Sequence, residues 1–548
     1  MRSLFTRLHA QGRLALDLWL ASLVIHVLAL VSSVYSIQVM NRYTALGLDG
    51  TLVTLTSGAL LAVLMEYLLR QSRFHLAQWF CQTFTRELHD RTVVAFATVR
   101  HSFLEQWPPG QRQETLTGLG AISQAFSGAN LSILLDAPFA LLYLLVIGVI
   151  SPMLALLTLS ITALVIIATL YLQRKMRPLA ADMAQETAAG SGLLHFLATA
   201  SESVRMFHCF SWLQPRFQEA FDRMTSLRQQ ASGVQAVSQH LNQSAATLSI
   251  ILLYAAGAYE VVHGHLDVGS LIGCSILASR AFGNLGRLAQ LSEPFEKARQ
   301  SLERIDALSR LPVESQQGVV PRQLSGGIEL ENLSFAYPGQ PMPVLDGVQL
   351  TLAPGQVLAV VGDNGRGKTT MARLLTGLLE PDRGQIRVDG MDLRHLVPEW
   401  WRRQILYLPQ EPLFFDGTLR ENLTVLAPHT EDAQVLALCQ RLQLGSFLDT
   451  TPLGLATAVR GSGATLPLGV RRRLALVRAM LGGGRVAILD EPTEGIDASG
   501  CQAVARLLNE WVAQGLTVIV MTREEFIIRS AHVVLDLHAR PLAGTPSS

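Results

Sequence analysis

Nine consecutive residues, Gly362-Asp363-Asn364-Gly365-Arg366-Gly367-Lys368-Thr369-Thr370, have the spacing G-x-x-x-x-G-K-[ST]. The apolar run Val357–Val361 before them reads as a buried strand, and MARLLTGLL after them reads as a helix. A loop of this kind between a strand and a helix cradles nucleotide phosphates. Its glycines let backbone N–H groups curl around phosphate oxygens, and the helix N-terminus adds partial positive charge. Lys368 is placed to reach the β/γ-phosphates, and the Thr369 hydroxyl can ligate Mg²⁺. A second apolar strand, Val486–Leu489, ends in Asp490-Glu491. An Asp at a strand end beside such a loop can hold Mg²⁺, and the Glu after it can polarise an attacking water.

The elements that position these groups occupy only part of the chain. With 548 residues it exceeds the ~250–300 at which one hydrophobic core stops growing, so at least two domains are expected. It is 49% hydrophobic and 16% charged, against roughly 25% charged in soluble domains. A disordered chain and a wholly soluble enzyme are thereby excluded. The net charge of +1 offers no global field for polyanions, so no nucleic-acid partner is expected. Five scattered cysteines without a CxxC pair support neither a disulfide framework nor a zinc site.

Six stretches, at about 17–39, 51–69, 131–150, 153–173, 243–262 and 267–286, approach the ~20 apolar residues that span a bilayer core. The first follows Arg2, Arg7 and Arg13 but is longer than the apolar run of a signal peptide, and it reads as a retained span. Lys and Arg collect in the long connections (Arg70, Arg73, Arg86, Arg91 and Arg100; Arg174, Lys175 and Arg177) and after the last span (Arg280, Arg287, Lys297 and Arg299). The short loops carry little positive charge beyond Arg42, which puts both termini and both long connections in the cytoplasm. Asp136, near the start of the third span and before Pro138, reads as a helix-start cap. The expected organisation is a membrane domain over 1–310, a linker over 311–327, a soluble α/β domain over 328–540 and a tail over 541–548.

From about residue 17 to 540 the chain resembles an ATP-binding cassette exporter half-transporter. The resemblance implies a polytopic α-helical membrane domain of six spans followed by an α/β P-loop nucleotide-binding domain, with ATP and Mg²⁺ as ligands. Tyr337, in Phe-Ala-Tyr-Pro, matches the aromatic residue that stacks on adenine. Gln410, in Leu-Tyr-Leu-Pro-Gln, matches the Q-loop glutamine that meets Mg²⁺ and water and senses the membrane domain. Asp490 and Glu491 match Walker B and the catalytic carboxylate, and Asp497 matches the D-loop aspartate at the cassette dimer interface. The runs Ser36–Tyr43, Leu134–Leu142 and Leu271–Arg280 resemble the type I secretion group, in particular its shorter members without an N-terminal peptidase-like domain. That resemblance implies export of an unfolded polypeptide across the bacterial inner membrane. The partners it implies are a second half-transporter, a periplasmic membrane-fusion protein, an outer-membrane channel and the lipid bilayer. Segments Phe103–Gln113 and Glu202–Trp212 match the position of elements that couple cassette to spans.

Two positions depart from the pattern. Where the signature reads Leu-Ser-Gly-Gly-Gln, this chain has Leu466-Pro467-Leu468-Gly469-Val470 before the helix Arg471–Met480. Pro467 has neither hydroxyl nor N–H, and Leu468 blocks close backbone approach. Where a switch histidine follows Thr522 in the pattern, Arg523 stands here, with donors only. The run Leu324-Ser-Gly-Gly327 copies the signature letters before the P-loop and reads as a flexible turn. These departures favour a partly degenerate subunit, in a heterodimer rather than a homodimer. The alternatives are a mainly regulatory ATP-binding subunit and an exporter of a small thiol or lipid. The last arises because Asp490–Asp497 also resembles the D-loop of cysteine/glutathione exporters associated with cytochrome assembly.

Overall fold

The structure, a computed structural model, describes residues 12–44, 47, 49–340 and 342–538. Arg2, Arg7 and the expected tail lie outside them. The chain divides into two compact units, Met1–Val99 with Gln106–Leu311, and Arg100–Glu105 with Pro312–Ser548.

The first unit is helical because apolar segments in lipid can satisfy their backbone groups only internally. Among the described residues six helices are long and apolar enough to cross a membrane, and they begin at Gly12, Asp49, Gly128, Pro152, Phe210 and Val268. The second, fourth and fifth spans continue as single helices of 50, 48 and 53 residues, Asp49–Thr98, Pro152–Thr199 and Phe210–Val262. The long connections are therefore mostly extensions of the span helices. The two segments expected to couple cassette and spans are each interrupted. The first is a short helix, His101–Gln106, ahead of a second helix beginning at Pro109. The other is a short helix, Ser201–Met206, with a turn at His208, whose φ is 51°.

At the far end, Asp267 caps the sixth span by accepting from the Ser270 N–H at 2.6 Å, and it also accepts from Asn41 Nδ2 at 2.6 Å. A Cβ at Gly273 would lie 2.7 Å from the Ile37 side chain, so glycine is what lets the first and sixth spans pack closely there.

Asp136 is not the cap that its sequence position suggests. It ends the helix Gly128–Asp136, whose actual cap is Ser127, accepting from the Asn130 N–H. The Asp136 carboxylate is buried and pairs with Arg73 of the second span, with Nη2 to Oδ2 at 3.2 Å and a second bond from Nη1 to Oδ1. His26 of the first span donates from Nε2 to the same carboxylate at 2.9 Å, and its Nδ1 lies 2.7 Å from the Tyr143 hydroxyl. Arg73 also donates to Ser22 at 2.9 Å, and Asn284 of the sixth span reaches the Asp136 carbonyl at 3.4 Å. The acid sits at a helix end, but its charge is consumed by a cation from another span, which sequence position alone does not reveal.

In the second unit, five parallel strands form the central sheet: β1 Val357–Val361, β2 Ile405–Leu408, β3 Val486–Asp490, β4 Thr517–Met521 and β5 Val533–Asp536. Their order is β5-β1-β4-β3-β2. They are almost continuously apolar because both faces are covered, one by a cluster that includes Leu374 and Trp401, the other by one that includes Leu474 and Trp511. A separate antiparallel sheet holds Leu345–Leu352, Ile328–Phe335, Arg383–Val388 and Met391–Asp392 in that order.

The segment expected to be a linker is held to this unit. Glu314 pairs with both terminal nitrogens of Arg402 at 2.7 and 2.8 Å, and the Val319 N–H donates to His395 O at 2.7 Å. Leu324–Gly327 is not flexible: the N–H groups of Ser325, Gly326 and Gly327 donate to the Asp389 carboxylate, and Thr517 Oγ1 donates to Gly326 O at 2.7 Å. It leads into a strand and begins no helix, so it cannot act as a signature.

Asp136→Asn should destabilise the membrane unit by about 3–5 kcal/mol, because it leaves the buried Arg73 charge uncompensated. Thermal unfolding of the detergent-solubilised protein tests this, and an unchanged midpoint would show that the pair does not hold the spans.

Candidate nucleotide-binding site

All five parallel strands end on the same edge of the sheet, where ligands of open α/β sheets bind. The P-loop leaves β1, Gln410 follows β2, Asp490 ends β3 with Glu491 next, and Arg523 lies two residues beyond β4. The sheet register sets Asp490 level with Met521, so neighbouring strands deliver their end residues together.

Gly367 starts the helix Lys368–Leu375 with φ of 95°, and a Cβ there would lie 2.8 Å from Val344. Lys368 is buried, donating to Gly362 O at 2.8 Å and lying 3.1 Å from Glu491 Oε1. Thr369 Oγ1 donates to Asp490 Oδ2 at 2.6 Å and lies 3.4 Å from Gln410 Oε1. The second oxygen of Asp490 is buried with no hydrogen-bond partner. An orphaned anionic oxygen beside a hydroxyl and an amide oxygen is a donor set that fits a hard divalent cation such as Mg²⁺.

Burial pushes the Asp490 carboxyl above the ordinary carboxylate range. The Thr369 hydrogen bond and the Lys368 charge act against burial, while the charge of Glu491 adds to it. Glu491 itself has φ of 51°, a left-handed backbone that costs a non-glycine residue about 1–3 kcal/mol and recurs at functional sites.

The signature helix runs Leu468–Gly482, and Pro467 at its start supplies no side-chain cap. A Cβ at Gly469 would lie 2.6 Å from Gly495 O, so this glycine is required by the close approach of the D-loop. Asp497 caps the next helix, Ala498–Ala513, by accepting from the Gly500 N–H at 3.2 Å. Arg523 reaches the P-loop directly, with Nη2 donating to Asn364 Oδ1 at 2.6 Å. The Tyr337 hydroxyl lies 3.2 Å from Thr370 Oγ1 and accepts from Arg373 Nη1 at 3.4 Å.

Three side chains at this site were not singled out from the sequence. Arg472, read only as part of a basic helix, is buried and donates to Gln410 O at 3.0 Å and to Glu494 Oε2 at 2.6 Å, joining Q-loop to D-loop. His538 Nε2 accepts from the Asp363 N–H at 3.0 Å. Arg373 links Tyr337 to Glu105, 3.0 Å away. Only the run Arg471-Arg472-Arg473 could have flagged one of them.

A phosphate cradle on a parallel sheet, in one chain with six helices able to span a membrane, defines a transporter driven by a nucleoside triphosphate. Residues 18–285 match the ABC transporter transmembrane region, and residues 345–494 match the ABC transporter domain. The chain belongs to the ATP-binding cassette transporter family: it is a multi-pass membrane exporter half that binds ATP and couples its hydrolysis to transport, and exporters of this kind act as dimers. It is similar to the alpha-hemolysin translocation ATP-binding protein HlyB of Escherichia coli O157:H7, 26% identical over 96% of this chain and 74% of that protein. It is also similar to the leukotoxin translocation ATP-binding protein LktB of Mannheimia haemolytica, at 24% over 95% and 74%. Among solved structures it is similar to a bacterial Atm1-family ABC exporter with ATP bound, with a TM-score of 0.81 and 20% identity over 96% of this chain and 93% of that one. At that identity the likeness shows the fold alone.

Lys368→Ala should severely weaken binding of a labelled ATP analogue while membrane insertion stays intact; equal binding by variant and wild type would remove the P-loop assignment. Asp490→Asn tests the metal position. A carboxyl whose folded-state pKa is raised contributes stability below its unfolded pKa and loses it as pH rises through the raised value. The substitution should therefore raise the melting temperature of the metal-free protein at neutral pH, by an amount that shrinks on acidification. It should also reduce the further stabilisation by ATP with Mg²⁺.

Proposed function

We propose that this chain is one subunit of a dimeric exporter that uses ATP to move an unfolded polypeptide across the bacterial inner membrane, in the manner of type I secretion. Two features support the polypeptide substrate. The relatives are named for translocation of alpha-hemolysin and leukotoxin. In addition, a cavity of about 580 Å³ between the fourth, fifth and sixth spans is lined along the fifth by Gln235, Ser238, Gln239, Asn242, Gln243 and Thr247. Uncharged amides and hydroxyls both donate and accept, as peptide groups do. The charges on the lining, Arg287 and Glu293, are of opposite sign, which suits a polypeptide better than an anionic thiol. A periplasmic membrane-fusion protein and an outer-membrane channel would continue the path.

In this reading Tyr337 stacks on adenine and residues 362–370 hold the phosphates. Thr369, Asp490 and Gln410 would hold Mg²⁺, which would neutralise charge on the phosphate oxygens. Glu491 polarises the attacking water. Lys368 lies beside the Glu491 carboxylate. Each ATP lies between one P-loop and the signature of the opposing chain.

The observation that carries the degenerate reading is the start of the signature helix. Pro467 and Leu468 offer no hydroxyl, and Pro467 no N–H, to an opposing γ-phosphate. Arg523, bonded to Asn364, puts a permanent cation where an imidazole would both accept and donate. A homodimer would carry both defects at both sites, whereas a partner with an intact cassette would complete each site in part.

Purified alone in lipid, the chain should hydrolyse ATP slowly or not at all. Each missing oriented donor typically costs ~10²–10³ in rate. The variant Pro467→Ser, Leu468→Gly, Val470→Gln, Arg523→His should raise homodimer turnover markedly in a steady-state ATPase assay. Brisk wild-type turnover without any partner would return the chain to an ordinary homodimeric exporter.

A further inference from the structure

The helix that follows the P-loop has two working faces. Lys368 and Thr369 serve the phosphate and metal end. Thr370 and Arg373, three residues apart and hence on one face, turn toward Tyr337. The Tyr337 ring is fixed by Phe335, which stands edge-on at 5.1 Å between centroids, and by the two bonds of its hydroxyl. The hydroxyl accepts from Arg373 and can give its own proton to Thr370 Oγ1, so both of its capacities are used.

The same Arg373 nitrogen, Nη1, lies 3.0 Å from Glu105 Oε1. Glu105 belongs to the short helix His101–Gln106 of the first cytoplasmic connection, and its segment Arg100–Glu105 is part of the cassette unit. That segment is further anchored by Arg100, which pairs with Glu380 at 2.8 Å and donates its N–H to Pro312 O at 3.0 Å. A continuous chain of polar contacts, Glu105–Arg373–Tyr337–Thr370, therefore runs from the connection to the ring that receives the base.

We propose that Arg373 is a positioning residue through which the first cytoplasmic connection senses the base of the bound nucleotide, independently of the phosphate end read by Gln410. The proposal rests on the reading of Tyr337 as the adenine platform. Coupling of this kind is reciprocal: whatever factor the docked helix adds to adenine binding, adenine adds to docking of the helix. Glu105 and Arg373 are each about one-third exposed, so the factor is modest, about two- to five-fold.

The test is equilibrium binding to the full-length protein in lipid, with ATP and with inorganic tripolyphosphate, which fills the P-loop but has no base. Glu105→Gln and Tyr337→Phe should each weaken ATP two- to five-fold and leave tripolyphosphate unchanged. The double variant should be no weaker than the weaker single, because both changes cut one chain of contacts. Additive losses, equal losses for both ligands, or no loss with Glu105→Gln would each overturn the proposal. Tyr337→Ala removes the platform itself. If it left ATP affinity intact, the assignment of the adenine site would fall, and the proposal with it.

Discussion

One buried cation organises the nucleotide end of this molecule. Lys368 is buried at the sheet edge, where its ammonium group donates to Gly362 O and faces the Glu491 carboxylate. The contact goes with an inward-pointing carbonyl at the first glycine of the P-loop. Glu491 meets the lysine from just beyond the end of β3 with a left-handed backbone, its N–H bonded to Met521 O at 2.9 Å. Asp490, beside this pair with one buried oxygen that no protein group satisfies, fits the role of a ligand to a divalent cation.

The membrane unit obeys the same rule with different partners. Asp136, Arg73 and His26 would each be costly alone among apolar helices, and they are tolerated because they meet. Their meeting ties three spans to one another, and Asn284 adds a fourth. At the opposite end the first and sixth spans are joined differently, through Asn41, Asp267 and the glycines that let the helices approach. Buried charge at one end and close backbone packing at the other give the bundle two unlike clamps.

The departures in the cassette acquire meaning from their surroundings. Gly469 stands where Gly495 O presses closest, and the neighbouring Leu468 also packs on the D-loop, since a Cβ at Gly495 would lie 3.4 Å from its side chain. The start of this helix therefore serves packing within the chain. Arg472 supports this view, since it still binds Q-loop and D-loop together from the interior of the same helix.

The residue types and spacings of Gly362–Thr370, Asp490-Glu491 and the six apolar runs were sufficient to identify a nucleotide site and a membrane domain. Phosphate cradles and bilayer spans are local: they depend on consecutive residues and on a fixed rise per residue. The length of the span helices was not legible, because polar helical extensions lack the apolar signal by which spans are recognised. Nor was the role of Asp136, whose partners lie 63 and 110 positions away in sequence and are brought to it only by helix packing. The same holds for Glu105 with Arg373 and for His538 with Asp363, where contact is made by chain segments that no periodicity relates. Sequence alone determined which chemistry the chain can carry. The tertiary structure decided which charges neutralise one another, because pairing of buried charges depends on distances that exist only after the helices and strands have packed.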